Sequence, residues 1–411
     1  MKAVVFTLGC KVNSCESDSL MNGLSKLGYE VSGNLEYADL YIINTCAVTA
    51  EAEKKSRQCI SRAKRFNPDS KIIVTGCASE KSPEDFLSKE NVTLVTGAKA
   101  KGKILEMLSD TGKNISCDDK EFEELFPVKN LQSRAYIKIQ DGCNNFCSYC
   151  IIPYLRGRSR SRKTENIIAE INDTIAEEIV LTGINISSFK DNDKKLNNLI
   201  EEIDTEKRIR LGSLEVKIID DNLLLALKKL KNFAPHFHLS LQSGCDKVLK
   251  EMNRKYTTEE FYKKCCLIRK YFENAAITTD IISGYPTENE IDFEDTLKFM
   301  DKVKFSQVHC FSYSKRTGTK AAELKELSFD RKNDRLNKLL KKAEQLKNEY
   351  IEKNIGETVD VIFEEKKDKY SIGYSENYIR VYVLGNFENI KKVRLTEKYS
   401  DGCKGILENN G

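Results

Sequence analysis

Apolar and polar residues alternate along this chain in two regimes. As far as residue 348, short β-prone runs are each followed by a stretch of helical periodicity; beyond it come only short runs spaced by Gly, Asn and Asp. Runs at 3–8, 40–44 and 71–75 read as strands, with a helix such as 51–66 between them and a helix, a strand and a short helix at 83–88, 92–96 and 104–108. Residues 1–112 therefore predict a parallel α/β domain. The polar, acidic stretch 113–128 reads as a linker.

Over 129–348 six β-prone runs recur, at 135–139, 178–181, 208–211, 236–241, 276–282 and 307–311, with amphipathic stretches such as 164–176, 222–233 and 259–272 between them. Six βα units predict a partial barrel with a splayed side that can admit a large substrate, and such barrels carry function at the carboxyl ends of their strands. A basic amphipathic helix, 331–350, leads out of it. Runs at 358–364, 370–375, 379–384 and 391–396 then predict a small antiparallel β-barrel over 349–411. The fold class is α/β.

Composition narrows this only a little. With 411 residues, 40% hydrophobic and 32% charged, the chain has the profile of a soluble globular protein of two or three domains. No apolar run approaches a membrane span, and Met1 to Phe6 passes at once into Gly9-Cys10-Lys11, too short for a signal peptide, so a cytoplasmic location is expected. The net charge of +4 permits a nucleic-acid partner without arguing for one.

The cysteines change the picture. Fourteen of them in a reducing compartment are expected to be ligands, reactive thiols or buried residues rather than disulfides. Cys143, Cys147 and Cys150, spaced C-x3-C-x2-C just past a predicted strand, place three thiolates on one tight loop. A local zinc shell would want a fourth ligand, and the next cysteine is the distant Cys245. Three thiolates suit a [4Fe-4S] cluster with one iron left open, the alternative being a zinc site completed by a histidine. Cys10, Cys46 and Cys77 each follow one of the first three strands directly, at the edge where open α/β sheets bind ligands, so they can converge on a second three-cysteine site. The plainer alternative is that small thiols pack at strand ends. Cys15 and Cys59, inside predicted helices, and Cys117, in the linker, read as packing or incidental thiols.

Thr182-Gly183-Ile184-Asn185, Ser213-Leu214-Glu215 and Gln242-Ser243-Gly244 stand at predicted strand ends, with the backbone access and polar groups that a zwitterionic, ribose-bearing ligand needs. His236, His238 and His309 lie on predicted strands and read as structural. Arg156, Arg158, Arg160 and Arg162 alternate with small residues beside the Cys143 loop. They read either as phosphate or carboxylate contacts or as a solvated basic loop.

The Cys143 loop resembles that of the radical S-adenosylmethionine (SAM) enzymes. Gly9-Cys10-Lys11-Val12-Asn13, Asn44-Thr45-Cys46-Ala47-Val48-Thr49 and Thr75-Gly76-Cys77-Ala78 resemble the N-terminal domain of the methylthiotransferases. His238-Leu239-Ser240-Leu241-Gln242-Ser243-Gly244, Thr279-Asp280-Ile281-Ile282-Ser283-Gly284 and Tyr313-Ser314 extend the likeness, with departures at Val216 and Cys245. Gly373 to Val381 resembles the TRAM domain that closes these enzymes. The resemblance implies a SAM-binding cluster on Cys143, Cys147 and Cys150 and an auxiliary one on Cys10, Cys46 and Cys77. With it, Tyr149, Thr182, Gly183, Asn185, Glu215, Ser240 and Gln242 are expected to contact SAM, and Arg156, Arg158, Arg160, Arg162, Tyr374, Asn377 and Tyr378 the RNA. The implied partners are tRNA and a low-potential electron donor of flavodoxin or ferredoxin type, with no membrane, and the chain is expected to be a monomer.

Lys11-Val12-Asn13 is similar to the branch that acts on N6-threonylcarbamoyladenosine at tRNA position 37, next to the anticodon. Sister branches modify isopentenyladenosine or an aspartate of a ribosomal protein. The implied chemistry uses two SAM molecules, one donating a methyl group to sulfur and the other yielding a 5'-deoxyadenosyl radical that enables attack at C2 of the adenine. The rival of another class is a non-catalytic RNA-binding protein stabilised by zinc.

Overall fold

In the computed structural model, which describes residues 1–99, 101–115, 121–125 and 133–408, the apolar runs at the N-terminus form one six-stranded parallel sheet. Its elements are β1 (Lys2–Thr7), α1 (Lys11–Lys26), β2 (Glu30–Ser32), β3 (Leu40–Thr45), α2 (Ala50–Phe66), β4 (Lys71–Gly76), α3 (Cys77–Lys81), α4 (Pro83–Leu87), β5 (Val92–Thr96) and β6 (Gly112–Asn114). The strands lie in the order β2-β1-β3-β4-β5-β6. The three longest strands, β1, β3 and β4, are thus adjacent, and the residues that follow them emerge at one edge. The short helix expected at 104–108 is instead part of a run of turns. β6 continues the sheet into the stretch expected as linker. Half of that stretch, with Cys117, and the boundary at 129 lie outside the described residues.

The central part is two four-stranded sheets that together make an open barrel. One has the order β12-β9-β7-β8, from β7 (Arg134–Asp141), β8 (Arg160–Ser161), β9 (Glu178–Gly183) and β12 (Arg208–Leu211); a small hairpin of β10 (Lys190–Asp191) and β11 (Lys194–Lys195) lies between β9 and β12 in the chain. The other has the order β13-β14-β15-β16, from β13 (Ser213–Leu214), β14 (His236–Leu239), β15 (Ala276–Ser283) and β16 (Gln307–Ser312). Side chains alternate across these strands. Ile137, Ile139, Ile179, Leu181, Ile209 and Leu211 enter the apolar core. Their neighbours Arg134, Lys138, Glu178, Arg208 and Arg210 take the opposite face and are buried there by ion pairs. α1 lies against β7 and β9, so the first domain closes part of the barrel's open side.

The basic helix is Phe329–Asn354, and after it β17 (Thr358–Lys367), β18 (Tyr370–Ser375), β19 (Arg380–Leu384), β20 (Asn389–Tyr399) and β21 (Gly402–Leu407) close a barrel in the order β17-β18-β19-β21-β20. β21, with two glycines in Gly-Cys-Lys-Gly-Ile-Leu, escapes a reading based on apolar runs. Among the described residues no helix is long and apolar enough to cross a membrane.

Candidate functional site

Cys10, Cys46 and Cys77 come together at the carboxyl edge of the first sheet. Gly9 and Gly76 have φ of +110°, outside the range that side-chain-bearing residues favour. A Cβ on Gly9 would stand 3.0 Å from the Cys46 sulfur, so glycine lets the β1 turn lie directly against Cys46. Asn13 fixes the arrangement: its Nδ2 donates to the carbonyls of Leu8 (2.8 Å) and Thr45 (3.0 Å). Cys46 and Cys77 are buried and Cys10 is exposed. Burial pushes the free Cys46 thiol up to about 11.

The second trio lies on the loop after β7. Cys147 is buried, and Cys143 and Cys150 are half-buried, with burial raising both of those thiols, Cys150 to about 12. Donors converge on the sulfurs: the Asn145 amide stands 3.5 Å from Cys143 Sγ and Arg254 Nη1 stands 3.4 Å from Cys147 Sγ. Arg254 also donates to Glu215 (2.8 Å) and to the Ser240 carbonyl (2.8 Å), and Glu215 accepts from Asn145 (3.1 Å). Asn185 sits at this loop: its backbone amide donates to Gln140 Oε1 (2.7 Å) and its side-chain Nδ2 lies 4.0 Å from Cys143 Sγ. Thr182 and Gly183 end β9 beside this loop, and Gln242 holds a φ of +74°, a strained backbone of the kind that persists at sites where the surroundings fix it.

One cavity lies between the Cys143 loop and the segment that follows Cys46. It measures about 240 Å³ and is lined by Tyr149, Cys150, Gln242 and Asp280 of the barrel and by Val48 and Thr49, just beyond Cys46. The segment after Cys150 forms α5 (Ile152–Leu155), which packs on α3, the helix that starts at Cys77. Two sets of three thiols, each in a glycine-bent or tight loop and each with an arginine N–H directed at a sulfur, fit iron-sulfur clusters with an open iron.

Arg156 is that arginine for the first trio, and here the sequence expectation is corrected. Arg156 is fully buried; its Nε lies 3.4 Å from Cys77 Sγ, and its other nitrogens donate to Glu16 (2.7 Å), Asn13 (2.8 Å) and Asp141 (3.2 Å). Arg160 is buried on the Arg156 carbonyl (2.7 Å) and near Asp141, and Arg162 is buried against Glu124 and Glu170. None of these three presents a guanidinium to a phosphate, because carboxylates inside the protein already take it. Arg158 alone of the four is exposed, over the ring of Phe146 at 4.5 Å. Burial alone would raise the Glu16 carboxyl, but Arg156, Lys101 and Lys138 outweigh it and hold it well below the ordinary range.

Of the residues of the C-terminal barrel expected to contact RNA, Asn377 is turned inward. Asn377 is buried, bonded to Ser375 (2.6 Å) and Asn354 (2.9 Å). Tyr374 and Tyr378 are half-buried and stack at 5.0 Å, and Tyr378 stacks in turn on His236 at 4.0 Å, so these rings dock the small barrel onto the central one. His236 is structural, as expected. His238 and His309 are not isolated: their ring nitrogens and an Asp280 oxygen lie within 4.8 Å of one another. Sequence reasoning missed Arg254, Glu16 and Asp141. Arg254 lies 107 residues from Cys147, so no local spacing could pair them.

Comparison with known proteins agrees with this geometry. Residues 2–97 match the Uncharacterized protein family UPF0004, and residues 137–300 the Radical SAM superfamily. The chain is 38% identical, over 96% of its length and 93% of the relative's, to Threonylcarbamoyladenosine tRNA methylthiotransferase MtaB of Bacillus subtilis. It is 33% identical to tRNA-2-methylthio-N(6)-dimethylallyladenosine synthase of Endomicrobium trichonymphae, over 98% of this chain and 100% of that one. The radical SAM methyltransferase TsrM of Kitasatospora setae, solved with cobalamin and a [4Fe-4S] cluster, shares the fold at a TM-score of 0.57 and 12% identity over 78% of this chain and 74% of its own. With full-length identity at this level and a cysteine trio on each of the two matched domains, the chain belongs to the radical SAM methylthiotransferases, enzymes that use SAM and [4Fe-4S] clusters.

Proposed function

We propose that this protein transfers a methylthio group to C2 of N6-threonylcarbamoyladenosine at position 37 of tRNA, with two [4Fe-4S] clusters and two SAM molecules. The observation that carries the reading is the cavity between Cys150 and Val48-Thr49, the segment that follows Cys46, which leaves room for a substrate between the two cysteine loops. When bound, the clusters and SAM supply one-electron and sulfur-transfer chemistry that side chains lack.

The chain's own residues bind and orient. Cys143, Cys147 and Cys150 hold one cluster and Cys10, Cys46 and Cys77 the other. Thr182, Gly183, Asn185, Glu215, Ser240, Gln242 and Tyr149 surround the Cys143 loop and set where SAM lies, with Arg254 tying Glu215, the Ser240 carbonyl and Cys147 into one rigid unit. Arg158, exposed beside the Cys143 loop, contacts the RNA backbone. The reductant is a low-potential donor of flavodoxin or ferredoxin type, and the protein acts as a cytoplasmic monomer.

The test is nucleoside mass spectrometry of tRNA from cells with and without the gene. The 2-methylthio form of threonylcarbamoyladenosine should vanish on deletion and return with the intact gene but not with Cys143→Ala. Loss of the methylthio isopentenyl nucleoside instead, as the likeness to the Endomicrobium protein would suggest, rejects the choice of substrate.

A further inference from the structure

Two histidines and an aspartate meet on the inner face of the barrel, the aspartate lining the same cavity, and nothing in the handling of the clusters uses them. β14, β15 and β16 are neighbours in register, with His238 opposite Thr278 and Asp280 opposite His309. The hydrogen bonds form one chain. With the His236 Nδ1, buried and partnerless among the described residues, assigned as the unprotonated nitrogen, Nε2–H donates to Thr278 Oγ1 (2.9 Å). The Thr278 hydroxyl donates to His238 Nδ1 (3.0 Å), and His238 Nε2–H donates to Asp280 Oδ2 (3.2 Å). Asp280 is thus oriented from behind, and it lines the cavity beside Cys150 and Gln242. Lys11, exposed at the first turn of α1 and next to Cys10, lies within electrostatic reach of Asp280 and His309. No side chain caps that turn of α1.

We infer that Lys11, His309 and Asp280 form a specificity pocket for the polar, carboxylate-bearing substituent of the substrate nucleoside, with Lys11 and His309 facing the carboxylate and Asp280 its hydroxyl or urea N–H groups. The inference rests on the substrate reading above. Two histidines and one carboxylate are also a donor set for a divalent cation, so zinc is the competing occupant that the experiment separates. An apolar prenyl group would leave these polar groups desolvated and unpaired, which disfavours it.

The experiment compares binding of two anticodon stem-loop RNAs to the cluster-loaded protein by fluorescence anisotropy, one carrying threonylcarbamoyladenosine and one its methyl ester. The wild type should prefer the acid by about 10- to 100-fold, the range of a charge-assisted hydrogen bond. Lys11→Met and His309→Ala, each with wild-type iron content, should bring the ratio close to one while leaving ester binding in place, and Lys11→Arg should keep a preference for the acid. An equal affinity of the wild type for both RNAs, or a ratio that neither variant moves, overturns the inference. So does stoichiometric zinc that His309→Ala removes with the acid preference intact. These outcomes are separable from the substrate reading: methylthiolation of threonylcarbamoyladenosine in cells with no acid preference in vitro sinks the pocket alone, and its absence in cells sinks the substrate assignment.

Discussion

Arg156 shows why a charged run in sequence can be internal. Its guanidinium joins Cys77, Asn13, Glu16 and Asp141, groups drawn from both the first domain and the barrel. Removing one member of a buried charge network leaves its partners uncompensated, so Arg156→Gln should lower unfolding stability by about 3–5 kcal/mol in urea titration. The exposed Arg158 is the opposite case. Arg158→Ala should leave stability within about 0.5 kcal/mol and reduce the salt slope of tRNA binding by about one counterion. A salt slope that responds to Arg156→Gln and not to Arg158→Ala would reverse the assignment. The sequence made the proximity of these arginines to the cluster loop plain. It could not show that Glu16, 140 residues away from Arg156, waits for one of them.

At the scale of loops and strands, the cysteines were legible because each marks a strand end, and strand order put β1, β3 and β4 side by side. Burial makes these thiols a pH-dependent element. Without clusters the folded chain holds protons on Cys46 to about pH 11 and on Cys150 to about pH 12, whereas the unfolded chain releases them near 9.0. A folded state that keeps more protons loses stability as pH rises. The cluster-free protein should therefore melt at progressively lower temperature above about pH 9, as differential scanning fluorimetry can follow. The loaded protein, whose sulfurs are already thiolates, should lack that component of the decline. Identical pH profiles for the two forms would mean that these thiols are not the buried protonated groups. Less was legible where a strand lacks apolar residues, as in β21, or where a turn is rich in them, as at 104–108.

Across the whole molecule, the domain order could be read but the joints between domains could not. Glu178 accepts ion pairs from Arg134, Arg208 and Arg210, while Arg208 and Arg210 donate onward to the carbonyls of Asp360 (2.7 Å) and Ser375 (3.1 Å) in the small barrel. In sequence these are ordinary polar positions on alternating strands; only the docked barrel explains why so many charges are buried. Glu178→Gln would leave three guanidinium groups without their shared anion and should cost about 3–5 kcal/mol. Faster proteolytic release of the C-terminal barrel would check it, and unchanged release would show that the remaining contacts, among them the Tyr378 stack on His236, hold the joint without Glu178.

Iron counting on three proteins tests most directly whether the two cysteine trios hold separate clusters. The wild type, reconstituted without oxygen, should hold about eight irons per chain, two four-iron cubanes. The folded Cys143→Ala/Cys147→Ala/Cys150→Ala and Cys10→Ala/Cys46→Ala/Cys77→Ala variants should each keep about four, with reductive cleavage of SAM lost in the first and retained in the second. A folded triple variant that loses all its iron, or a first variant that still cleaves SAM, would contradict the assignment of the two trios to independent clusters.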